Sequence, residues 1–469
     1  MNIASLTTQT PVRPAASKPM KEVDFSYNPQ DQVVLDPGTT RVKVGDDLSN
    51  GKIQLVGGLQ PNLEGSYVYD RHDARFHGAN AFAAVAKTQA LFEEAYGQPI
   101  AWATGKPQLE VHADNGNVLN AFYSRDDGGL FFFHSTDPVT QRVVHGADSG
   151  EVTGHECGHA ILDAIRPGYM SSWSGDAGGF HESFGDVVAM LVSLQDPRVL
   201  DKVAEQTGGD MKKPNMAAAL GEELGITINH TAGKNATGGD YTRNAINHFT
   251  WKKPSSLPHT APPEQLSTEP HSWSRLWTGA VYDVFSDMVQ QNLAGQPNVA
   301  AAISQAANEL LGMYGRLMKM APKGSFTYKQ MAAAFIQSDL ELNQGKRAGQ
   351  LSKAFAARKI LEPKEFRADS SAPENSRTQS VFLSNDATHN FGVFAGARVE
   401  TDVSDRFPQA AEDLKDRLAV LVAAGEIKYT EPGQKLTQQD LIKSNGAPYT
   451  GVVRWFDGEM TIERVKILS

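Results

Sequence analysis

A chain of 469 residues, 40% hydrophobic and 21% charged, carries enough apolar material for two to four domains with full-sized cores. Its 44 Lys and Arg against 54 Asp and Glu leave a net charge of −10 with no basic block, so a nucleic-acid partner has no electrostatic footing. A single cysteine excludes an intrachain disulfide framework, and no apolar run approaches the roughly 18 residues that a membrane span needs.

The first residues lack the apolar stretch of a signal peptide, so a cytoplasmic location is expected, with export by a signal-independent route left open. Residues 1–32, rich in Thr, Ser, Pro and Lys, are expected to form a disordered tail. From 33 to 64 the β-prone runs VVL, TRVKV and KIQLV, separated by turn residues, predict a small β-rich unit. Apolar spacing at Phe82, Val85, Ala86, Leu91 and Phe92 predicts a helix over 77–96 that stops at Gly97. Two β-prone runs around DNGN and DDGG then predict a twisted antiparallel sheet over the next helix.

That next helix carries HECGH, with His155 and His159 four apart and so on one face, where both imidazoles can reach one ion. Glu156 is rotated about 100° from His155, which sets its carboxylate beside a metal, the place of a general base for water. Cys157 is two residues from His155, on a different face, and is expected to be a small buried residue. A catalytic zinc site takes three protein ligands and leaves a position open. The best third ligand is Glu182, on a helix predicted over 180–196 after a loop rich in Gly and Pro. Asp186, one turn further along the same face, is then free to accept a hydrogen bond from the second nitrogen of a ligating histidine.

Together HECGH, ESFGD at 182–186, NAFY at 120–123 and the His271–Trp277 spacing make residues 65–320 resemble the thermolysin-like zinc metallopeptidases, or gluzincins, and most closely their fungalysin-like branch. The resemblance implies an α+β fold of two lobes, about 65–165 and 166–362, the first β-rich and the second helical. It implies zinc on His155, His159 and Glu182, and a peptide or protein substrate held along Asn120 and Ala121 as an added strand. An interior strand is the alternative at that segment. The resemblance also implies that His271 stabilises the oxyanion, with Tyr169 as a second donor or simply a loop anchor. Arg243 corresponds to an arginine that holds a substrate carbonyl, although an ion pair to Asp240 or another carboxylate fits equally. Calcium is common among such enzymes, but the chain has no D-x-D-x-D-G loop.

Beyond a long irregular excursion over 231–270, helices are predicted at 274–293, 299–320, 327–342 and 346–361. A linker is expected over 363–380 and a small α+β appendage over 381–469, with a helix at 408–424. The reading that follows is a zinc endopeptidase with Glu156 as base. A zinc aminopeptidase using the same motif, or an interaction protein with structural zinc, are the alternatives, and oligomeric state is left open.

Overall fold

The computed structural model describes residues 20–45, 47–295, 297–362, 376–404 and 410–469. The tail expected over 1–32 lies outside the described residues as far as 19. From there on it is ordered: Lys21–Tyr27 (β1) pairs antiparallel with Gly38–Val44 (β2), and Phe25 and Tyr27 are buried. An apolar alternation hidden in KEVDFSY, which puts Val23, Phe25 and Tyr27 on one face, is the reason. The β-rich stretch over 33–64 is likewise no separate unit, because Ile53–Leu55 (β3) pairs with the next sheet.

That sheet consists of β3, Leu109–His112 (β4), Ala121–Ser124 (β5), Gly129–Phe132 (β6) and a strand from the far end of the described residues, Ile467–Leu468 (β16), in the order β16-β5-β6-β4-β3. It is mixed rather than antiparallel, since β3 and β4 run parallel, as do β4 and β6. His134–Thr136 (β7) and Val143–His145 (β8) form a ribbon beside it. The first helix, Arg75–Tyr96 (α1), is buried along most of its length and closes with Gly97 at φ 73°, the left-handed cap that glycine favours.

A helix-rich region follows. Gly150–Ile165 (α2) and a single turn, Gly168–Ser171 (α3), lead into Gly175–Ser193 (α4). The loop expected up to 179 is therefore partly helix. Both Gly178 and Gly179 lie within the helix, and Gly179 is a packing residue: a Cβ there would collide with the Tyr328 hydroxyl and the Trp273 ring. Pro197–Thr207 (α5), Ala219–Leu220 (β9), Glu222–Ala232 (α6) and Arg243–Asn244 (β10) come next, with β10 pairing to β9 at Arg243 and Leu220. Pro270–Gly295 (α7), Val299–Met320 (α8), Tyr328–Leu342 (α9) and Ala348–Ala357 (α10) complete the region, and their apolar faces close on α1 and α4 in one large core.

Most of the expected linker, 363–375, lies outside the described residues, while 376–380 belongs to a strand. That strand, Ser376–Phe382 (β11), opens a second unit with Arg398–Ser404 (β12), Ala410–Ala423 (α11), Ile427–Lys428 (β13), Gly451–Phe456 (β14) and Glu459–Arg464 (β15). Its five strands run in the order β11-β12-β15-β14-β13, and Leu414, Leu418 and Leu421 of α11 pack on Val399, Val453 and Ile462. The whole is a mixed α+β molecule, strand-bearing at the start and helix-rich after it, with a small α+β unit following.

Candidate metal centre

Helix α2 begins at Ser149, whose hydroxyl accepts the Val152 N–H at 3.1 Å, a side-chain cap for one of the unpaired first-turn donors. Three glycines, Gly150, Gly154 and Gly158, sit in its sequence, each costing a helix about 0.5–1 kcal/mol relative to alanine. Two of them lie at a helix contact. A Cβ on Gly158 would lie 2.9 Å from the Gly185 Cα of α4, and one on Gly154 would lie 3.5 Å from the Ala189 Cα. Gly185 in turn leaves room for the His155 ring, whose Nδ1 a Cβ there would approach to 2.7 Å. The glycines let α2 and α4 touch backbone to backbone, and that contact brings side chains from the two helices to one point.

At that point His155 Nε2 is 3.4 Å from Glu182 Oε2, and His159 Nε2 is 3.6 Å from Glu182 Oε1. His155, Glu156 and His159 each offer a ligand atom, all within 4.8 Å of one another. His155 Nε2, His159 Nε2, Glu182 Oε2 and Glu156 Oε2 are buried and make no hydrogen bond. A buried polar atom left unpaired costs about 1–3 kcal/mol, so four converging on one point call for a partner. A divalent cation meets that need. Tetrahedral bonds of 2.0–2.1 Å place ligand atoms about 3.3 Å apart, close to the separations found here.

The surroundings orient the donors. Asp186 Oδ1 lies 2.9 Å from His155 Nδ1, so that nitrogen carries the proton and Nε2 turns its lone pair inward. Arg243 closes on the same carboxylate through Nε at 3.0 Å and Nη2 at 2.7 Å. It thus makes the carboxylate ion pair that was one of its two expected arrangements, with Asp186 rather than Asp240. His181, which the sequence reading passed over, places Nδ1 3.2 Å from His159 Nδ1. Burial pushes His181 down to about 3, so it is neutral and accepts the His159 proton, which again leaves His159 Nε2 free.

Protonation follows the burial. Desolvation pushes the Glu156 carboxyl up to about 8, against the pull of His155. Burial also drives His159 well below its ordinary range, helped by the charge of His155. Burial works against a second proton on His155, yet Asp186 and then Glu182 outweigh it and raise the group to about 9; a cation at Nε2 would take that proton's place and leave the one on Nδ1. His271, in the first turn of α7, is raised to about 10, because Glu182 and Glu269 outweigh its desolvation. Its Nδ1 is 2.6 Å from Glu269 Oε1 and its Nε2 is 3.2 Å from Glu182 Oε2. It also donates from Nε2 to the Ser469 carbonyl.

Three of the expected site residues are engaged elsewhere. The Tyr169 hydroxyl donates to the Pro322 carbonyl, and its ring lies against Phe180 and Phe326, which is the anchoring arrangement of its two expected ones. Asn120 donates from Nδ2 to the Gly446 carbonyl at 2.7 Å, and Ala121 begins β5, whose outer side is covered by β16. Cys157 is buried, with Sγ 3.7 Å from the Val85 carbonyl on α1, and burial pushes its thiol up.

A second cluster, Asp114, His134 and His145, also brings three ligand atoms within 4.8 Å. His134 Nδ1 is 2.7 Å from Asp114 Oδ1, while His145 stacks on His77 with centroids 3.7 Å apart. No local spacing announces it, because the ribbon of β7 and β8 and the end of β4 assemble it. Among the described residues, two clusters could therefore take a divalent cation, one deeply buried and one near the surface. Among the described residues no helix is long and apolar enough to cross a membrane. No protein-family model matches the chain, and no curated protein matches it either.

Proposed function

We propose that the protein is a zinc-dependent peptidase of the thermolysin-like kind, with His155, His159 and Glu182 as zinc ligands and its α+β body divided into a β-rich and a helical lobe. The observation that carries this reading is the buried convergence of three unbonded ligand atoms with Glu156 Oε2, unbonded as well, beside them. A zinc held by that set would polarise a substrate carbonyl and acidify a coordinated water. Glu156 then has the work of a general base: it takes the proton of the attacking water and returns it to the leaving nitrogen. Burial raises the Glu156 carboxyl, and a dication beside it would pull that value back down, toward a range in which the group can both take a proton and return it. His271, paired with Glu269 and Glu182, would then donate to a carbonyl oxygen as it becomes negative. Strand β5, whose outer side pairs with the two residues of β16, would offer its backbone donors and acceptors to an extended peptide where β16 gives way. A purely structural zinc has no use for an unpaired buried carboxylate next to its ligands, and this favours the catalytic reading.

The test is metal content and hydrolysis measured together. The purified chain should carry about one buried zinc, lost in His155→Ala, His159→Ala and Glu182→Ala. Glu156→Gln should keep the metal and lose turnover by about 10²-fold or more. Stoichiometric buried zinc in all three ligand variants would refute the ligand set. Substantial turnover in Glu156→Gln would remove Glu156 as the base.

A further inference from the structure

The residues that would receive a peptide are already in contact with the chain itself. Ile467 pairs with Ser124 and Leu468 with Tyr123, antiparallel, on the outer side of β5. The Arg125 N–H donates to the Lys466 carbonyl at 3.1 Å and extends the ladder. The Asn120 amide holds Gly446, whose φ of +86° brings a tight turn against the start of β5, where a Cβ would meet Val118 at 2.6 Å. At the far end the Ser469 carbonyl accepts a hydrogen bond from His271 Nε2, the donor proposed for the developing oxyanion.

The side chains fit as a ligand's do. Successive residues of a strand face opposite sides, and here both sides are filled. Ile467 packs with Phe122, Phe131 and Phe133, and Leu468 enters the main core. They are 5% and 8% exposed, which excludes a loosely draped segment. The unit that delivers them has its own core around Val399, Leu418 and Ile462, so that core does not depend on the short strand staying in place.

Resting on the peptidase reading, we propose that residues 466–469 occupy the substrate edge in the manner of a substrate, so that the chain holds itself inactive until this segment is displaced. Ser469 stands where the residue bearing the scissile carbonyl would stand. Leu468 and Ile467 mark the two positions before it, so the substrates are extended peptides with large aliphatic residues there. A tethered occupant competes at a millimolar effective concentration, and a site that is free one-tenth of the time shows about a tenfold weaker apparent affinity.

The experiment compares the full chain with a full-length double variant, Ile467→Asp with Leu468→Asp, both carrying zinc. The probe is a fluorescein-labelled Val-Lys-Ile-Leu-Ser peptide followed by anisotropy, with hydrolysis of an unfolded protein substrate measured in parallel. The expected result is that the double variant binds the peptide at least about tenfold more tightly than the parent and gains at least about tenfold in kcat/KM. Equal peptide binding by parent and folded variant overturns the proposal. Tighter peptide binding with no hydrolysis by either protein leaves the occupancy standing and refutes the peptidase. Should the double variant fail to fold, hydrogen exchange on the parent decides. The Leu468 and Arg125 amides should exchange at least about tenfold faster than the β5–β6 ladder amides, through local opening. Exchange at the ladder's own rate would mean that the segment never leaves, and the proposal falls.

Discussion

Asp186 stands between two groups that both need it: its carboxylate holds His155 Nδ1 at 2.9 Å and the Arg243 guanidinium at 2.7 Å. The pair holds the carboxyl far below its ordinary range even though burial alone would raise it. In Asp186→Asn the amide oxygen can still accept one hydrogen bond, but the charge that steadies the His155 proton is gone and Arg243 is left uncompensated. We expect zinc affinity to fall by about 10–100-fold with the three ligands in place, measured by competition with a chromophoric chelator. Unchanged affinity would show that ring packing alone orients His155. The neighbouring His181 faces His159 in the same way, so both candidate ligand histidines are oriented from outside the donor set.

At the scale of elements, the centre depends on how closely α2 meets α4. Gly158 in HECGH and Gly185 in ESFGD occupy positions that a motif leaves open, yet they are where the two helices touch. Alanine in an exposed helix position stabilises by about 0.5–1 kcal/mol relative to glycine. Here the added methyl group meets backbone at 2.9 Å, and overpacking of this kind costs about 1–3 kcal/mol. Gly158→Ala should therefore lower the urea midpoint rather than raise it. Gly185→Ala should also reduce metal content, because its Cβ intrudes on the His155 ring at 2.7 to 3.0 Å. A higher midpoint with full metal in either variant would show that the helices have room to separate.

The whole molecule joins a large body to a smaller unit, and the smaller one contains its own charge clasp. His389 places Nε2 2.8 Å from Asp416 Oδ1 of α11 and Nδ1 3.1 Å from Asp386 Oδ2. Those two hydrogen bonds, Asp416 first and Asp386 next, raise its pKa above the ordinary 6.5. A raised folded value means that the imidazolium's contribution is fully present below 6.5 and is lost as pH rises through the raised value. Hydrogen exchange of β12 and α11 should accordingly be slower at pH ~6 than at pH ~9 after correction for intrinsic rates, and His389→Gln should remove that difference. The same protection in the variant would assign it to other groups. The smaller unit also reaches the body through Arg417, which donates to the Thr268 carbonyl, and through Trp173, which packs into its core.

What the amino-acid order determined is what local periodicity can carry. Four-residue spacing put His155 and His159 on one face and Glu182 and Asp186 on another, and the apolar repeat placed a helix over Val299–Met320 to the residue. Long helices repeat their pattern often enough to be read without knowing their neighbours. Tertiary structure decided the rest. Gly179 looks like a breaker until Trp273 and Tyr328 pack over it, and KEVDFSY looks like tail until β2 pairs with it. Asp114, His134 and His145 share no periodicity and meet only when strands fold together. Most plainly, Asn120 and Gly446 are 326 residues apart, and β16 has two residues, too few for any pattern. Strand pairing across such a separation depends on backbone hydrogen bonds that every residue can offer, so the sequence alone could not say that this edge would be occupied by its own chain.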